Sequence, residues 1–121
     1  MLRVAIIGCG NIGARAHLPA CAEIPETEVV AVCDIIEERV QAVAVRSGAT
    51  AYSDYRQLLE RKDIDMVSIC LPNDLHAEAT IAAVETGKHV LCEKPMAMNA
   101  AECREMIAAC AKAGVKLMIA Y

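Results

Sequence analysis

Short apolar runs rich in Val, Ile, Leu and Cys alternate along the chain with longer amphipathic stretches. Six of these runs have the length and composition of β-strands: residues 4–7, 29–33, 50–52, 66–71, 89–92 and 116–120. The stretches between them have helical length, so the pattern predicts successive strand–helix units that form a parallel sheet. We therefore expect an α/β fold with a doubly wound, six-stranded parallel sheet in the strand order 3-2-1-4-5-6.

Polar residues and glycines mark where the predicted helices begin and end. Three helix N-termini are expected at polar sites: Ser53 or Asp54, Asn73 or Asp74, and Asn99 with Glu102 three positions later. Gly87 and Gly114 lie where C-terminal caps belong. These signals divide the chain between the six predicted strands and leave no linker within it.

A glycine-rich segment, Gly8-Cys9-Gly10-Asn11-Ile12-Gly13, follows the first predicted strand and opens a helix that we expect to reach about residue 22. In such a strand–turn–helix the first glycine makes the tight turn, the second lets the backbone approach a pyrophosphate, and the third allows close packing. The free N–H groups at the helix N-terminus favour an anion. The pattern predicts a dinucleotide site that includes Gly8, Gly10, Asn11, Ile12 and Gly13.

An acidic residue at the end of the second predicted strand strengthens this interpretation. Asp34 lies 21 positions after Gly13, close to the spacing of about 20 at which a carboxylate accepts hydrogen bonds from ribose hydroxyls. Because a carboxylate here repels a 2′-phosphate, the sequence favours NAD over NADP as the cofactor. Ile35 and Ile36 follow in place of phosphate-binding residues, and we interpret Arg39 as a solvated helix residue. The alternative is a glycine-rich turn beside an unrelated helix-capping aspartate.

Composition and charge narrow the class of protein. A chain of 121 residues has room for one domain. Although 56% of the residues are apolar, no run approaches the roughly 18 that a membrane-spanning helix requires, so we expect a soluble protein with no membrane partner. The net charge of −4 and the absence of a Lys/Arg cluster argue against a nucleic-acid partner.

The cysteines and two of the histidines give no sign of a metal or redox site. The seven cysteines contain no C-x-x-C pair, and we expect reduced thiols in a cytoplasmic protein. His17 and His89 have no partner at metal-ligand spacing, so we interpret both as structural or solvated. No metal site is predicted.

Two later segments resemble a known family of enzymes. Residues 71–78 read Leu-Pro-Asn-Asp-Leu-His-Ala-Glu, and residues 87–95 read Gly-Lys-His-Val-Leu-Cys-Glu-Lys-Pro. Together with the glycine-rich segment they resemble the N-terminal nucleotide-binding domain of the glucose-fructose oxidoreductase, inositol dehydrogenase and MocA family. The resemblance covers essentially the whole chain and implies a Rossmann fold over residues 1–121. It also implies hydride transfer between a nicotinamide and a sugar, cyclitol or similar polyol.

The resemblance further assigns the segment Glu93-Lys94-Pro95 to the reacting end of the site. It implies that Lys94 is a catalytic residue beside the nicotinamide, where its ammonium stabilises a developing alkoxide. Glu93 would then be an orienting partner that also borders the cofactor, and Pro95 would fix the turn. The alternative for Lys94 is a solvated loop lysine.

The same resemblance places Pro72, Asn73 and His76 along the dinucleotide. Alternatives stay open at these positions, because Asn73 or Asp74 can be a helix cap and His76 a first-turn residue without a ligand.

Members of this family continue into a second α/β domain that binds the substrate and supplies proton-transfer residues. The resemblance therefore implies that the C-terminal substrate-binding domain is absent from this chain, which would keep the cofactor site but lack most of the substrate pocket. An apolar face left uncovered on the last helix and strand would then favour self-association. Two other functions stay open: an NAD(H)-binding sensor or regulatory module without turnover, and part of an NAD-dependent glycoside hydrolase.

Overall fold

One six-stranded parallel sheet forms the centre of the computed structural model, which describes residues 1–121. The strands are β1 Leu2–Ile7, β2 Thr27–Cys33, β3 Thr50–Tyr52, β4 Met66–Ile69, β5 His89–Glu93 and β6 Leu117–Ala120. Their order is β3-β2-β1-β4-β5-β6, and every neighbouring pair is parallel. This confirms the predicted Rossmann fold and strand order, with β3 at one edge of the sheet.

Five α-helices connect the strands: α1 Leu18–Glu23, α2 Glu37–Ser47, α3 Tyr55–Leu59, α4 His76–Glu85 and α5 Ala100–Ala113. Two of the predicted N-terminal caps are present. The Asp54 side chain accepts a hydrogen bond from the N–H of Arg56, and the Asn99 side chain accepts one from the N–H of Glu102, each at 2.9 Å. The helices therefore begin where a side-chain oxygen can satisfy a free backbone donor.

The predicted cap at Asn73 or Asp74 is wrong. A 3-10 turn, Asn73–Leu75, comes first, α4 begins only at His76, and neither side chain makes a capping bond. The N–H of Leu75 instead donates to the backbone carbonyl of Pro72 at 3.0 Å. Because the 3-10 turn gives the N–H of Leu75 a main-chain acceptor, this donor does not need a side-chain cap.

The helix that follows the glycine-rich segment ends close to the predicted residue, because α1 ends at Glu23, but it is not a regular α-helix throughout. A π-helical turn, Gly13–His17, precedes α1. Pro19, in the first turn of α1, has no N–H to donate and its ring crowds the preceding turn, which disfavours a regular α-helix here. The carbonyl of Ala14 accepts a hydrogen bond from Arg46 Nη2 at 2.8 Å instead. The wider turn changes which side chains face the sheet.

Helices cover both faces of the sheet and create two apolar layers. On one face, Leu18 of α1 and Val40 of α2 belong to the same buried cluster as Ile6 of β1. On the other, α3, α4 and α5 contribute to a cluster that contains Ile7 and Ile69. Full burial of a side chain such as Ile6 stabilises the fold by roughly 1.5–3 kcal/mol. This two-sided burial explains why the strands are apolar without alternation.

Part of the sheet surface is left without a covering helix. Leu2, Met66, Leu91 and Met118 line a shallow depression there, and Met118 is 68% exposed. Met118 pairs in register with Leu91, Leu91 with Ser68, and Ser68 with Ile6. Because Ile6 belongs to the cluster that contains Leu18 of α1, the depression lies on the face that α1 covers further along the sheet. Self-association through this surface stays a prediction. None of the helices is both long and apolar enough to cross a bilayer.

Candidate functional site

The glycine-rich segment forms a tight loop between β1 and the π-helical turn. Gly8 has a φ of +101°, and a Cβ on it would lie 2.4 Å from the carbonyl oxygen of Cys70. A Cβ on Gly13 would lie 1.9 Å from the carbonyl oxygen of Gly8. The first and third glycines are therefore required by the packing of the loop itself.

Gly10 differs from these two glycines because its surroundings are open. The nearest atom to a Cβ built on it is Nη1 of Arg39, at 3.9 Å. The main chain at Gly10 thus faces free space in front of a helix N-terminus, which is the environment that an anionic linker requires. A side chain here would fill that space without disturbing the fold.

The Asp34 carboxylate holds the loop in place. It is 8% exposed, its Oδ2 accepts a hydrogen bond from the N–H of Cys9 at 2.8 Å, and its Oδ1 accepts one from the N–H of Ile36 at 2.8 Å. Each carboxylate oxygen can accept a second bond. Asp34 therefore braces the glycine loop and still has lone pairs for ribose hydroxyls.

A cleft of about 600 Å³ extends from the glycine loop along the carboxyl ends of the strands. Its walls include Gly8, Gly10, Asp34 and Pro72, four of the residues predicted for the site. The remaining lining residues are Ile7, Cys33, Ile35, Ile36, Arg39, Ser53, Asp54, Tyr55, Cys70, Leu71 and Leu75. In parallel α/β sheets the ligand crevice lies at this edge.

Sequence reasoning missed most of the apolar wall of this cleft. Tyr55 and Leu71 line it and also pack against the buried cluster on the α3–α5 face, and Ile35 lines it while being 88% exposed directly after a buried strand. A large apolar residue left exposed directly after a strand is a signal that could have been used. Arg39, which we had interpreted as solvated, also lines the cleft.

The other predicted residues of the glycine-rich segment and of the β4 loop lie around this cleft. Asn11 lines a smaller depression of about 400 Å³ on the outer side of the loop, together with Arg15 and Arg46. Ile12 is 46% exposed. Asn73 is exposed at the start of the 3-10 turn. These side chains are accessible to a ligand that extends beyond the cleft walls.

The end of β5 brings Glu93 and Lys94 next to the end of β4. The Lys94 side chain is exposed, and its backbone N–H donates to Glu93 Oε2 at 3.1 Å. Glu93 Oε1 lies 2.9 Å from His17 Nε2, and His17 Nδ1 is hydrogen-bonded to the hydroxyl of Ser68. His17 is therefore a structural residue, one of the two readings that we gave it, but with polar partners that the sequence did not indicate.

His76 does not face the cleft. Its ring is fully buried, with Nδ1 2.7 Å from the carbonyl oxygen of Pro95 and Nε2 2.8 Å from that of Leu71. Both ring nitrogens are thus occupied by the main chain of the two loops that follow β4 and β5. This geometry favours a role in holding these loops together over direct contact with a cofactor.

The cysteines near the site are unpaired and largely buried. Burial raises the pKa of the Cys9 thiol to about 11 and that of Cys33 to about 12, and the neighbouring Asp34 carboxylate adds to both shifts. Burial also raises the pKa of Cys70, in the cleft wall, to about 12. These thiols are neutral at physiological pH, which makes them poor nucleophiles. No group of three or more His, Cys, Asp or Glu side chains is arranged to hold a metal ion.

A doubly wound parallel sheet, a glycine loop with exposed main chain and a carboxylate at the end of β2 together define a dinucleotide-binding Rossmann domain. The chain also matches, over residues 2–121, the model of an oxidoreductase family with an NAD-binding Rossmann fold. It belongs to this family, GFO_IDH_MocA, as the resemblance of its motifs implied.

Three relatives illustrate the similarity. The inositol 2-dehydrogenase of Salmonella typhimurium is 40% identical over 120 residues, which are 97% of this chain and 35% of the relative. The WlbA dehydrogenase from Bordetella pertussis in complex with NADH and UDP-GlcNAcA is 32% identical with a TM-score of 0.93, over 98% of this chain and 34% of that one. A 3-ketoreductase from Actinomadura kijaniata in complex with NADP and TDP-benzene is 38% identical with a TM-score of 0.93, over 98% of this chain and 36% of that one. The chain thus spans about a third of the length of these relatives.

Proposed function

We propose that this chain is the nicotinamide-dinucleotide-binding half of an oxidoreductase that transfers hydride to or from a sugar, cyclitol or similar polyol. One observation carries the proposal: the open main chain at Gly10 and the Asp34 carboxylate border the same cleft. The names of the similar proteins, an inositol 2-dehydrogenase and a dTDP-3,4-didehydro-2,6-dideoxy-alpha-D-glucose 3-reductase among them, support this substrate class. A further domain would complete the substrate pocket.

The residues of the cleft fit a dinucleotide. The pyrophosphate would lie on the main chain at Gly10, where a Cβ would meet no atom closer than 3.9 Å. The adenosine ribose would donate hydrogen bonds to the free lone pairs of Asp34. Tyr55 and Ile35 would provide apolar surface for the adenine, because both line the same cleft.

Lys94 is the chain's own contribution to the chemical step. The bound nicotinamide supplies or accepts the hydride, and the protein orients the reactants. The exposed ammonium of Lys94, at the end of β5, would bind the substrate hydroxyl and stabilise negative charge on its oxygen. Asn73 would lie on the neighbouring loop, along the same ligand.

We further propose that NAD is preferred to NADP. Asp34 lines the cleft, and a 2′-phosphate on a ribose bound at its carboxylate would bring two negative groups together. Arg39, which lines the same cleft, is the one cation among its walls that would favour a phosphate. The preference for NAD over NADP depends on whether repulsion of a 2′-phosphate by Asp34 outweighs its attraction to Arg39.

Calorimetric titration of the chain with NADH and with NADPH tests the proposal. We expect NADH to bind on the order of tenfold more tightly, about 1.4 kcal/mol. Gly10→Ala should weaken the binding of both by tenfold or more, because its methyl group occupies the place of the pyrophosphate. Arg39→Ala should leave NADH affinity within about threefold of the unmodified chain.

Two results would contradict these expectations. If neither dinucleotide binds to the folded chain, the cofactor site is wrong. If NADPH binds more tightly and Arg39→Ala selectively removes that advantage, the site is correct but the proposed preference for NAD is reversed.

A further inference from the structure

His17 connects the helix that follows the glycine loop to the end of β5, directly before Lys94. Its side chain is 8% exposed, although it belongs to a helix on the protein surface. Nε2 lies 2.9 Å from Glu93 Oε1, and Nδ1 is bonded to the Ser68 hydroxyl, which is fully buried. Two polar partners at opposite corners of the ring fix its orientation.

The local backbone explains why His17 points towards the sheet. It is the last residue of the π-helical turn Gly13–His17, which Pro19 follows two positions later. Single π-turns change the angular position of the side chains that follow and are common at functional sites. Here the turn aims the imidazole across the ends of β4 and β5.

Glu93 carries the connection on to Lys94. One carboxylate oxygen, Oε1, bonds to His17, and the other, Oε2, accepts the N–H of Lys94 at 3.1 Å. Only 18% of the Glu93 side chain is exposed, and its bond to His17 is partly buried, whereas its bond to the Lys94 N–H is exposed to water. The carboxylate is therefore held at both oxygens, and its position sets the direction of the backbone from which the lysine projects.

We propose that His17 is a positioning residue for Lys94, acting through Glu93. With Nε2–H donating to Glu93 and Nδ1 accepting from Ser68, the neutral ring satisfies both partners. The helix whose N-terminus would bind the pyrophosphate is then joined, from His17 through Glu93, to the backbone of the lysine that would bind the substrate. This inference rests on the proposed role of Lys94, but the geometry on which it acts exists without a ligand.

A pair of substitutions separates positioning from simple core stability. His17→Gln keeps an N–H donor at a similar reach to Nε2, whereas His17→Leu fills similar space without a donor. His89→Leu is the matched control, because His89 lies at the other end of β5 and its Nδ1 accepts the N–H of Lys116 at 3.0 Å. All three variants are made in the full 121-residue chain.

Three quantities are measured: the thermal midpoint, the hydrogen-exchange rate of the Lys94 amide by NMR, and the Kd for NADH. We expect His17→Leu to accelerate Lys94 exchange by fivefold or more, and His17→Gln and His89→Leu to leave it within twofold. NADH affinity should stay within threefold in all three, because the glycine loop and Asp34 are unchanged.

The proposal is overturned if His17→Leu leaves Lys94 exchange unchanged. It is also overturned if His17→Gln keeps the native thermal midpoint but its Lys94 amide exchanges as fast as in His17→Leu. In that case a hydrogen-bond donor at position 17 would not be what slows the exchange. If His17→Leu does not fold, the comparison of His17→Gln with Glu93→Ala still decides: Glu93→Ala must accelerate Lys94 exchange and His17→Gln must not. If the unmodified chain does not bind NADH, the proposed function is contradicted. The exchange rates still test whether His17 positions the Lys94 backbone, because they are measured without a ligand.

Discussion

Asp34 Oδ2 accepts a hydrogen bond from the backbone N–H of Cys9 at 2.8 Å, so the acidic residue at the end of β2 is bonded directly to the glycine loop. Its other oxygen accepts the N–H of Ile36 at 2.8 Å. The residue that the sequence assigned to the ribose is thus also a brace for the loop that would hold the pyrophosphate. Loss of this carboxylate should therefore affect both the fold and the binding of a dinucleotide.

Asp34→Asn tests this double role. The amide side chain has one acceptor oxygen in place of two, so either the buried N–H of Cys9 or the part-buried N–H of Ile36 loses its partner. We expect the free energy of unfolding to fall by about 1–3 kcal/mol, measured by urea denaturation, and NADH binding to weaken as well. Asp74→Asn is the control, because Asp74 is exposed and caps no helix. Unchanged stability with lost binding would show that the carboxylate serves the ribose alone.

The two glycines at positions 10 and 13 should respond differently to alanine. A Cβ on Gly13 would overlap the carbonyl oxygen of Gly8 at 1.9 Å, whereas one on Gly10 meets only the end of Arg39 at 3.9 Å. We expect Gly13→Ala to lower the free energy of unfolding by about 1–3 kcal/mol or more and Gly10→Ala to change it by less than about 0.5 kcal/mol. Denaturation and NADH titration of both variants separate loop packing from ligand contact. Equal destabilisation by both would contradict the open environment of Gly10.

The buried thiols predict a loss of stability at alkaline pH. Burial raises the pKa of Cys9 and Cys92 to about 11 and that of Cys33 to about 12, above the ordinary value for an unfolded chain. The folded state therefore holds these protons more tightly than the unfolded chain does. The contribution of the thiols to the free energy of unfolding is complete below about pH 8.5 and is lost as the pH rises through 11 to 12. We expect the free energy of unfolding, measured with a reductant present, to decrease between pH 8 and pH 10.5 by on the order of 1 kcal/mol per buried thiol.

Substitution of single cysteines checks the origin of this pH dependence. Cys33→Ala should flatten it, since one buried titrating group is removed. Cys103→Ala, at a half-buried position on α5, should leave the slope as it is. A slope that is the same in all three proteins would assign the effect to other groups.

Local physical chemistry explains how much of the fold the sequence revealed. Apolar runs buried on both faces by helices, such as 29–33 and 89–92, predicted the strands to within two residues. Side-chain caps at Asp54 and Asn99 were predictable because the donor and acceptor lie within three positions of each other. The turn at Asn73 was not, because a backbone carbonyl can replace a side-chain cap with no change in the residues that signal one.

The sequence by itself determined the class of the protein. Glycines at fixed spacing, a carboxylate after the second apolar run and the alternation of apolar runs with helical stretches can all be read from residue type and spacing, and together they specify a dinucleotide-binding domain. The tertiary structure alone decided what the polar side chains do. His17 and Glu93 are 76 positions apart, His76 is held between two loops, and Asp34 is turned onto the glycine loop. A hydrogen bond depends on where folding brings two groups, and no spacing along the chain encodes a contact that is made across the edge of a sheet.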